Sequence, residues 1–406
     1  MLRVSKLWNG YVTPEEVERA GRKASEGMPG HLLAYTTDCK PVVVWNATRR
    51  CNLSCIHCYS DSENKAYGGE LSTEEARRMI DGMAEFGAPA ILFSGGEPLV
   101  RKDIYELLRY ARSRGIRPTL STNGTLITER AARNLRAAGL AYVGVSLDGF
   151  GEVNDRFRGQ EGAFERAVRG IENCQAAGIP VGLRFTITRH NVGDLPKIFD
   201  FIEEKNIPRC CFYHLVYAGR GSEINRDDLT GEETMEVVDQ IVERAEYFHR
   251  GGIEKDIVTV DNHSDAPYLY AKLLKKDRKC AQQVYTLLRW QGGNRSGIAI
   301  ADVDNLGNVH ADQFSWDYSF GNVRDRKFGD IWTDTTDPVL AGYRDRKPLL
   351  KGKCAGCPFL ELTNGNFRAR AHYAFGDRWA EDPACYCGKV AEMLGIEWSK
   401  PAEVPS

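Results

Sequence analysis

Six β/α units follow one another between residues 41 and 216, and this alternation restricts the folds that the chain can adopt. Short apolar segments rich in β-branched residues alternate with longer segments of helical period. Such alternation is typical of a parallel sheet with helices outside it, either doubly wound or an open, partial barrel. In both arrangements functional side chains gather where the strands end. The predicted strands cover residues 41–47, 89–94, 117–122, 141–148, 180–188 and 209–216, and the predicted helices cover residues 72–87, 103–115, 129–139, 162–178 and 194–206.

The regular alternation stops after residue 220, which predicts a change of architecture. A helix is expected over residues 231–251, and residues 296–314 have the alternating pattern and the central turn of a β-hairpin. The predicted division is a helical lead-in over residues 1–38, a core over 39–225, a helical region over 226–295 and a smaller α+β region with cysteines over 296–406.

Charge and hydropathy exclude several classes of protein. The 54 lysines and arginines nearly balance the 56 aspartates and glutamates, and the resulting net charge of -2 argues against nucleic acid as a partner. No apolar run reaches the roughly 20 residues that span a bilayer. The first residues lack the continuous apolar stretch of a secretory signal. We therefore expect a cytoplasmic protein with no membrane partner.

Cysteine is abundant and unevenly distributed along the chain. Of twelve cysteines, three fall within residues 51–58 and four within residues 354–387. A disulfide scaffold is typical of small secreted chains. Two tight groups in a cytosolic chain indicate metal or iron–sulfur sites instead.

The first group has the spacing Cys51-x3-Cys55-x2-Cys58. A structural zinc ion needs four protein ligands. His57 is the nearby fourth candidate, but it lies between Cys55 and Cys58 and is poorly placed to turn onto the same ion. Three thiolates on a [4Fe–4S] cube instead leave one iron open to an external ligand.

Small polar motifs follow the next four predicted strands, at the sheet edge where the first cysteine group also lies. They are SGGEP at residues 94–98, STNGT at 121–125, SLDG at 146–149 and the arginine of RFTIT at 184. Glycines allow a close backbone approach, carbonyl and carboxylate oxygens accept from an ammonium group, and arginine pairs with carboxylates. Each motif alone is explained equally well by a turn, a core serine or a surface arginine. Their order after successive strands favours one shared site.

This set of motifs resembles the radical S-adenosylmethionine (SAM) superfamily, whose signature is Cys-x3-Cys-x-aromatic-Cys. The resemblance implies an α/β fold with a partial (β/α)6 TIM-like barrel, and a [4Fe–4S] cluster whose open iron binds SAM. His57 takes the aromatic position and is implied to pack near the adenine. The implied cluster ligands are Cys51, Cys55 and Cys58, and the implied SAM-binding residues are Gly95, Gly96 and Glu97 for the amino group, Ser146 and Asp148 for the ribose, Arg184 for the carboxylate, and Asn123.

The C-terminal cysteines resemble the SPASM or twitch extension, which carries an auxiliary cluster in many members of the superfamily. Relatives with this extension have a further cysteine six residues after the second one, where this chain has Thr363. The resemblance implies a second, auxiliary [4Fe–4S] cluster with an open question about its fourth ligand. A structural zinc ion on the same side chains is the alternative. The candidate ligands are Cys354, Cys357, Cys385 and Cys387.

Longer stretches, among them residues 40–60, 213–221 and 292–314, resemble the branch of the superfamily that acts on sirohaem-derived tetrapyrroles. The resemblance implies removal of the two acetate side chains of 12,18-didecarboxysirohaem to give iron-coproporphyrin III. Replacement of propionates by oxo groups during haem d1 synthesis is the first alternative. Peptide maturation by a SPASM enzyme is the second, although the 40 residues before the first strand are fewer than its recognition domain needs.

A flat, iron-bearing polycarboxylate substrate would be bound by arginines and by a histidine that ligates iron or donates a proton. Surface ion pairs and structural histidines are the competing explanations. The candidates are Arg220, Arg295, Arg368 and Arg370 for carboxylates, and His214, His263 and His310 for iron or protons. The implied chemistry starts from a deoxyadenosyl radical and requires an electron donor such as ferredoxin or flavodoxin.

Overall fold

One sheet of ten strands organises the part of the chain that the computed structural model describes, residues 1–10 and 40–398. Its order is β1-β8-β7-β6-β5-β4-β3-β2-β9-β10. The strands are β1 (Leu2–Arg3), β2 (Val42–Asn46), β3 (Ala90–Ser94), β4 (Arg117–Thr122), β5 (Val143–Ser146), β6 (Val181–Ile187), β7 (Arg209–His214), β8 (Asp256–Val260), β9 (Ile300–Val303) and β10 (Val309–His310).

The central eight strands, from β8 to β9, are all parallel, and only the edge strands β1 and β10 are antiparallel. Strands β2 to β8 lie side by side in chain order. A doubly wound sheet reverses its strand order at a switch point, and this sheet has no reversal within β2 to β8. The expected partial barrel is therefore confirmed. All six predicted strands are present, and β8 and β9 extend the parallel set beyond them.

Helices cover the sheet and carry the apolar faces that bury it. The segment Thr73–Phe86 begins as predicted: the Ser72 hydroxyl accepts from the Glu75 N–H at 3.2 Å, and the Glu75 carboxylate accepts from the Ser72 N–H at 2.8 Å. The helices are Val4–Trp8, Thr73–Phe86, Ile104–Ser113, Glu129–Ala137, Glu152–Arg158, Ala163–Ala176, Leu195–Glu204, Gly231–Arg250, Asp265–Lys276, Arg278–Gln291, Phe328–Trp332, Pro338–Arg344, Gly352–Ala355, Leu360–Thr363, Arg368–Phe375 and Cys387–Met393.

The sheet crosses two of the predicted domain bounds. Strand β8 comes from the region predicted as helical, and β9 comes from the C-terminal region and pairs with β2, the first strand of the core. The predicted hairpin is present as the antiparallel pair β9–β10. Most of the predicted N-terminal lead-in, residues 11–38, lies outside the described residues. Among the residues that are described, no helix is long and apolar enough to cross a membrane.

Candidate active site

A cavity opens where the parallel strands end, at the sheet edge that the sequence motifs indicate. Its empty space, including the open mouth, is about 1050 Å³. The loops after β2 to β8 form most of its wall, and Gln313 and Phe314 of the C-terminal region close one side. The sequence-predicted residues that line it are Cys51, Cys55, Cys58, Gly95, Gly96, Asn123, Ser146, Arg184 and His214.

The loop after β2 carries the first three cysteines and is fixed by backbone hydrogen bonds. The Cys51 N–H donates to the Glu63 carbonyl at 3.0 Å, and the Ile56 N–H donates to the Phe157 carbonyl at 3.1 Å. Cys51 and Cys55 are buried, while Cys58 is half-buried. The loop therefore presents three thiols on one wall of the cavity.

Each of the three sulfurs accepts a hydrogen bond from a nitrogen. The N–H of Leu53 donates to Cys51 Sγ and that of Ser62 donates to Cys58 Sγ, both at 3.4 Å. The guanidinium of Arg158 donates to Cys55 Sγ at 3.7 Å. Such donors suit sulfur that carries negative charge, as in a cluster ligand.

The chemistry of this donor set fits an iron–sulfur cube rather than a single ion. Burial, reinforced by the Glu97 charge, raises the pKa of Cys51 to about 12, and a bound cation would favour the thiolate. A structural zinc ion needs four protein ligands, whereas three thiolates on a cube leave one iron open to a further ligand.

His57 packs as a ring rather than pointing to the cysteines. It lies against Phe157 with the ring centroids 4.4 Å apart, and its Nε2 is 3.6 Å from the Asp148 carboxylate. Burial and the charges of Arg158 and Arg220 hold the pKa of His57 well below its usual value. A neutral packing ring agrees with the implied place beside a bound adenine.

A buried ion pair lies directly beneath the cysteine loop. Arg158 contacts the carboxylate of Asp148, whose side chain is fully buried and also accepts from the Thr186 N–H at 2.5 Å. Asp148 therefore does not line the cavity, because its carboxylate is turned to Arg158. Arg158 does line it. Sequence reasoning missed Arg158, since an arginine in the charged segment "NDRFRG" gives no sign of being buried.

The two glycines of the GGEP motif allow the loop after β3 to touch the loop after β2. The N–H of Gly96 donates to the Thr48 carbonyl at 2.8 Å. A side chain on Gly95, whose φ is +134°, would place Cβ 2.2 Å from that carbonyl oxygen, and one on Gly96 would meet the Arg50 carbonyl at 2.5 Å. The glycines thus bring two cavity-forming loops together.

Glu97 also connects cavity-forming loops, from the buried side of the cavity wall. Its carboxylate is fully buried and accepts from the Leu99 N–H, the Thr122 hydroxyl and the Asn123 N–H at 2.8–3.1 Å. Burial raises the pKa of Glu97 to about 7. The structure places the carboxylate behind the cavity wall, where it joins the loops after β3 and β4.

Three other predicted SAM-binding residues do face the cavity. The Asn123 side chain donates to Asn52 at 2.9 Å and to Cys51 Sγ at 3.9 Å, which ties the loop after β4 to the cysteine loop. Ser146 ends β5, and Arg184 lies opposite it on β6. The Arg184 guanidinium lies over the Tyr213 ring at 4.7 Å and makes no ion pair within the described residues.

The far wall of the cavity holds His214 and Asp261, which follow β7 and β8. The His214 Nε2 lies 2.9 Å from the Asp265 carboxylate. Asp261 has a left-handed backbone with φ of +68°, and its Oδ2 is buried without a hydrogen-bond partner in the described chain. Burial raises the pKa of Asp261 to about 6. Sequence reasoning did not select Asp261, because residues 258–279 were predicted only as a strand or a loop leading into a helix, although an acidic residue at a strand end follows the same rule as the other motifs.

The remaining substrate candidates are not among the residues that line this cavity. Arg220 clamps the cysteine loop through the Cys55 carbonyl at 2.9 Å and the Asp61 carboxylate at 2.6 Å. Half-buried Arg295 offers its backbone carbonyl to the N–H of Ile298 at 3.0 Å. His310 is buried between the Tyr318 carbonyl at 2.8 Å and Asp304 at 3.4 Å.

The other three candidates lie near the C-terminal cysteines. His263 is half-buried with an unpartnered Nδ1, and burial together with nearby arginines holds its pKa well below the usual value. Arg370 donates to the Leu215 carbonyl at 3.1 Å and pairs with Asp382 at 3.3 Å. Arg368 donates to Cys354 Sγ at 3.9 Å. Both arginines are buried.

The four C-terminal cysteines form one neighbourhood. The Cys387 thiol interacts with the thiols of Cys357 and Cys385. The hydroxyl of Ser264 lies 3.2 Å from Cys385 Sγ and 3.5 Å from Cys387 Sγ. A bond from Cys387 lowers the pKa of Cys385 to about 7, whereas burial raises the pKa of Cys354 to about 11.

Thr363 does not act as the missing cysteine in this arrangement. Its hydroxyl donates to the Phe359 carbonyl at 3.1 Å, within its own short helix, and its side chain is buried. Backbone contacts surround it, since a side chain on Gly293 would meet the Thr363 carbonyl carbon at 2.3 Å. Cys387 therefore completes the group of four thiols.

The fold and the three-cysteine loop define a class of enzyme that binds a cluster and a ligand at the end of a partial barrel. Residues 45–202 match the family model described as the radical SAM superfamily. The chain is 55% identical over 392 residues to the Fe-coproporphyrin III synthase of Methanosarcina barkeri. The alignment covers 96% of this chain and 98% of that protein. It belongs to the radical SAM superfamily.

A further relative and a solved structure are also similar to this chain. The pre-heme d1 synthase of Dinoroseobacter shibae is 41% identical over 351 residues, which is 86% of each chain. The crystal structure of SuiB from Streptococcus suis bound to S-adenosylmethionine has a TM-score of 0.68 at 17% identity and covers 86% of this chain and 78% of that one. The second likeness concerns the fold alone.

Proposed function

We propose that this chain removes the two acetate side chains of 12,18-didecarboxysirohaem and gives iron-coproporphyrin III in haem biosynthesis. The observation that carries the proposal is the 55% identity to an Fe-coproporphyrin III synthase over nearly the whole of both chains. The cavity supports it, because it combines the three-cysteine loop with polar side chains on the opposite wall.

In this proposal Cys51, Cys55 and Cys58 hold a [4Fe–4S] cluster, and their N–H donors stabilise the sulfurs. Asn123 and Ser146 bind SAM. When bound, the cluster and SAM supply a deoxyadenosyl radical that abstracts hydrogen from the substrate.

The side chains around the cavity keep the reacting groups in position. Arg184 offers an unpaired guanidinium for a carboxylate. The His57 ring forms part of the cavity wall and packs against Phe157 behind it. Glu97 and Asp148 act from behind the wall, since each fixes a loop that faces the ligand.

The four C-terminal thiols are proposed to hold an auxiliary [4Fe–4S] cluster, with zinc as the alternative occupant. Buried arginines support a negatively charged cluster, because Arg368 donates to Cys354 and Arg370 pairs with the adjacent Asp382. Iron, sulfide and zinc analysis of anaerobically purified protein separates the two occupants. Two clusters' worth of iron supports the proposal, and one cluster's worth with bound zinc contradicts it.

We place the enzyme in the cytoplasm with a ferredoxin or a flavodoxin as its electron donor. Either protein supplies the single electrons that the reaction consumes. Reconstitution with each donor and its reductase, in place of a chemical reductant, tests this part of the proposal.

The substrate is tested by anaerobic incubation with didecarboxysirohaem, SAM and reductant, followed by mass spectrometry of the macrocycle. Loss of both acetates is the expected result, and an unchanged macrocycle beside vigorous SAM cleavage contradicts the proposal. Cys55→Ala is the inactive control. Cys280→Ala is the matched control that should keep its activity, since Cys280 is half-buried on the helix Arg278–Gln291, away from the cavity.

Haem d1 biosynthesis is the second candidate function, favoured by the 41% identity to a pre-heme d1 synthase. The same incubation distinguishes it, because that reaction removes propionates and introduces oxygen. A product that keeps its acetates but lacks propionates assigns the enzyme to this branch. A peptide substrate is the third outcome, and it requires SAM cleavage that a tetrapyrrole does not stimulate.

A further inference from the structure

His214 presents one ring nitrogen to the cavity and is held by the other. It ends β7 on the far wall, and its side chain is 6% exposed. Its Nε2 lies 2.9 Å from Oδ2 of Asp265. Its Nδ1 has no hydrogen-bond partner among residues 1–10 and 40–398. A ligand in the cavity is therefore the available partner for Nδ1.

Asp265 is held from two sides. It is fully buried at the start of the helix Asp265–Lys276, and its second oxygen, Oδ1, accepts from the Tyr386 hydroxyl at 2.6 Å. A buried carboxylate with both oxygens bonded keeps a fixed orientation. Asp265 thus fixes the ring of His214, as the carboxylate does in other histidine–carboxylate pairs.

The charges around the ring favour its protonated form. Burial alone would lower the pKa of His214, but the charge and the hydrogen bond of Asp265 outweigh burial and raise it. Arg370 opposes this shift and Asp228 supports it. Arg370 is itself paired with Asp382, and Asp228 accepts from the Tyr217 hydroxyl at 2.8 Å. The pKa of Asp265 is lowered by the same pairing, although burial opposes that shift.

The hydrogen-bonded series His214–Asp265–Tyr386 ends at Tyr386, which belongs to the C-terminal cysteine loop. Tyr386 stands between Cys385 and Cys387, and Ser264, the residue before Asp265, touches both of their sulfurs. The orientation of His214 therefore depends on a correctly folded cysteine loop. This dependence gives the loop an influence on the cavity through three side chains.

We propose that His214 is a catalytic proton donor to the substrate in the cavity, with Asp265 and Tyr386 as its positioning residues. This inference rests on the proposed function and deepens it. A histidine whose second ring nitrogen is bonded to a carboxylate suits either proton donation or axial ligation of iron, and the optical spectrum of the bound tetrapyrrole separates the two roles.

The step balances in atoms and electrons. After one hydrogen atom is abstracted beside the acetate-bearing carbon, the bond from that carbon to the acetate methylene breaks and the ring gains a double bond. The departing CH2–COO⁻ fragment takes one electron from the ferredoxin-class donor and one proton from Nδ1 of His214, which forms acetate. A fragment that is not captured in this way rejoins the ring, so that deoxyadenosine forms without coproporphyrin. Solvent then returns the proton to His214 at the open mouth of the cavity.

The test compares wild-type holoenzyme with His214→Gln, Asp265→Asn and Tyr386→Phe. His190→Gln is the matched control, because His190 also pairs with a carboxylate, Asp227 at 3.1 Å, but is exposed. The readouts are coproporphyrin formed per deoxyadenosine, its pH profile, and the optical spectrum of the bound iron tetrapyrrole.

His214→Gln is expected to lower the yield of coproporphyrin per deoxyadenosine by about 10²-fold, the usual range for a lost general acid, and to leave the bound spectrum unchanged. The donor must be protonated, so activity falls as pH rises through its pKa. Asp265→Asn removes the charge that raises this pKa, and the fall then begins at lower pH. Tyr386→Phe removes a donor that draws charge away from Asp265, so the fall then begins at slightly higher pH.

Two results would overturn the proposal. A changed spectrum in His214→Gln identifies the residue as an iron ligand, and an unchanged yield per deoxyadenosine removes it from the chemistry. Should His214→Gln fail to fold, the pH profile of Asp265→Asn decides, because an unshifted profile is the contrary outcome. Absence of coproporphyrin from the wild-type enzyme would instead refute the proposed function itself.

Discussion

The two cysteine groups of this chain are built in opposite ways. The first places three thiols in eight residues, on one loop that the ends of the strands hold from below. The second gathers four thiols from residues 354–387, and its geometry depends on several short helices and on Ser264 of a distant segment. The first cysteine group can therefore be recognised from the sequence alone. The arrangement of the second group is known only from the folded structure.

Loss of a thiol from the first group has the largest expected effect. Cys58→Ala leaves the packing nearly intact, because Cys58 is only half-buried. We expect complete loss of deoxyadenosine formation and loss of one cluster's iron, with the auxiliary iron retained. Iron analysis and SAM-cleavage assays measure both, and Cys280→Ala is the control. Retained SAM cleavage in Cys58→Ala would show that this loop does not hold the catalytic cluster.

The second prediction concerns the support of the first group. Arg158→Gln leaves the fully buried Asp148 carboxylate without its cation, which costs about 3–5 kcal/mol of unfolding free energy for a buried pair. Urea unfolding of the apoprotein measures this. Arg133→Gln removes an exposed pair with Glu129 and should cost less than about 1 kcal/mol. Equal effects of the two substitutions would contradict the role given to Arg158.

The third prediction separates the two groups directly. Cys387→Ala removes the fully buried thiol that contacts Cys357 and Cys385, and we expect loss of the auxiliary iron while SAM cleavage continues. Iron content and deoxyadenosine are measured on the same sample. Loss of SAM cleavage together with the auxiliary iron would show that the two cysteine groups form one cooperative unit.

The smallest effect is expected at Thr363, the position where relatives have cysteine. Thr363→Val removes a hydroxyl that bonds only to its own helix, so it should cost about 1 kcal/mol of stability and leave the iron content unchanged. Thermal unfolding and iron analysis measure the two quantities. A drop in auxiliary iron would make the hydroxyl a ligand.

The sequence predicted the fold well where one residue pattern determines the structure. Six strands and the capping box at Ser72 follow from local periodicity and side-chain hydrogen bonding. Strand β8 stayed open between a strand and a loop in the sequence, because the helix Gly231–Arg250 intervenes and interrupts the β/α alternation. The pairing of β9 with β2 joins residues some 250 positions apart, which no local pattern records.

The residues predicted for the site fall into those that the local sequence pattern places correctly and those whose position depends on the fold. Cys51, Asn123 and Ser146 line the cavity because they follow strands whose ends meet there. Glu97 and Asp148 also follow strands that end at the cavity, but their side chains point away from it into the protein. The sequence does not predict the side-chain rotamer that decides this. Arg158 and Asp265 act through partners that only the folded chain brings to them.

The pairing of β9 with β2 limits how this enzyme is divided or recombined. Residues Val42 to Trp45 pair with β9 along their full length, immediately before the cysteine loop. A truncation before residue 300 would expose that edge to other chains, which favours aggregation. A chimera that takes its C-terminal part from a relative must also supply a strand of matching register.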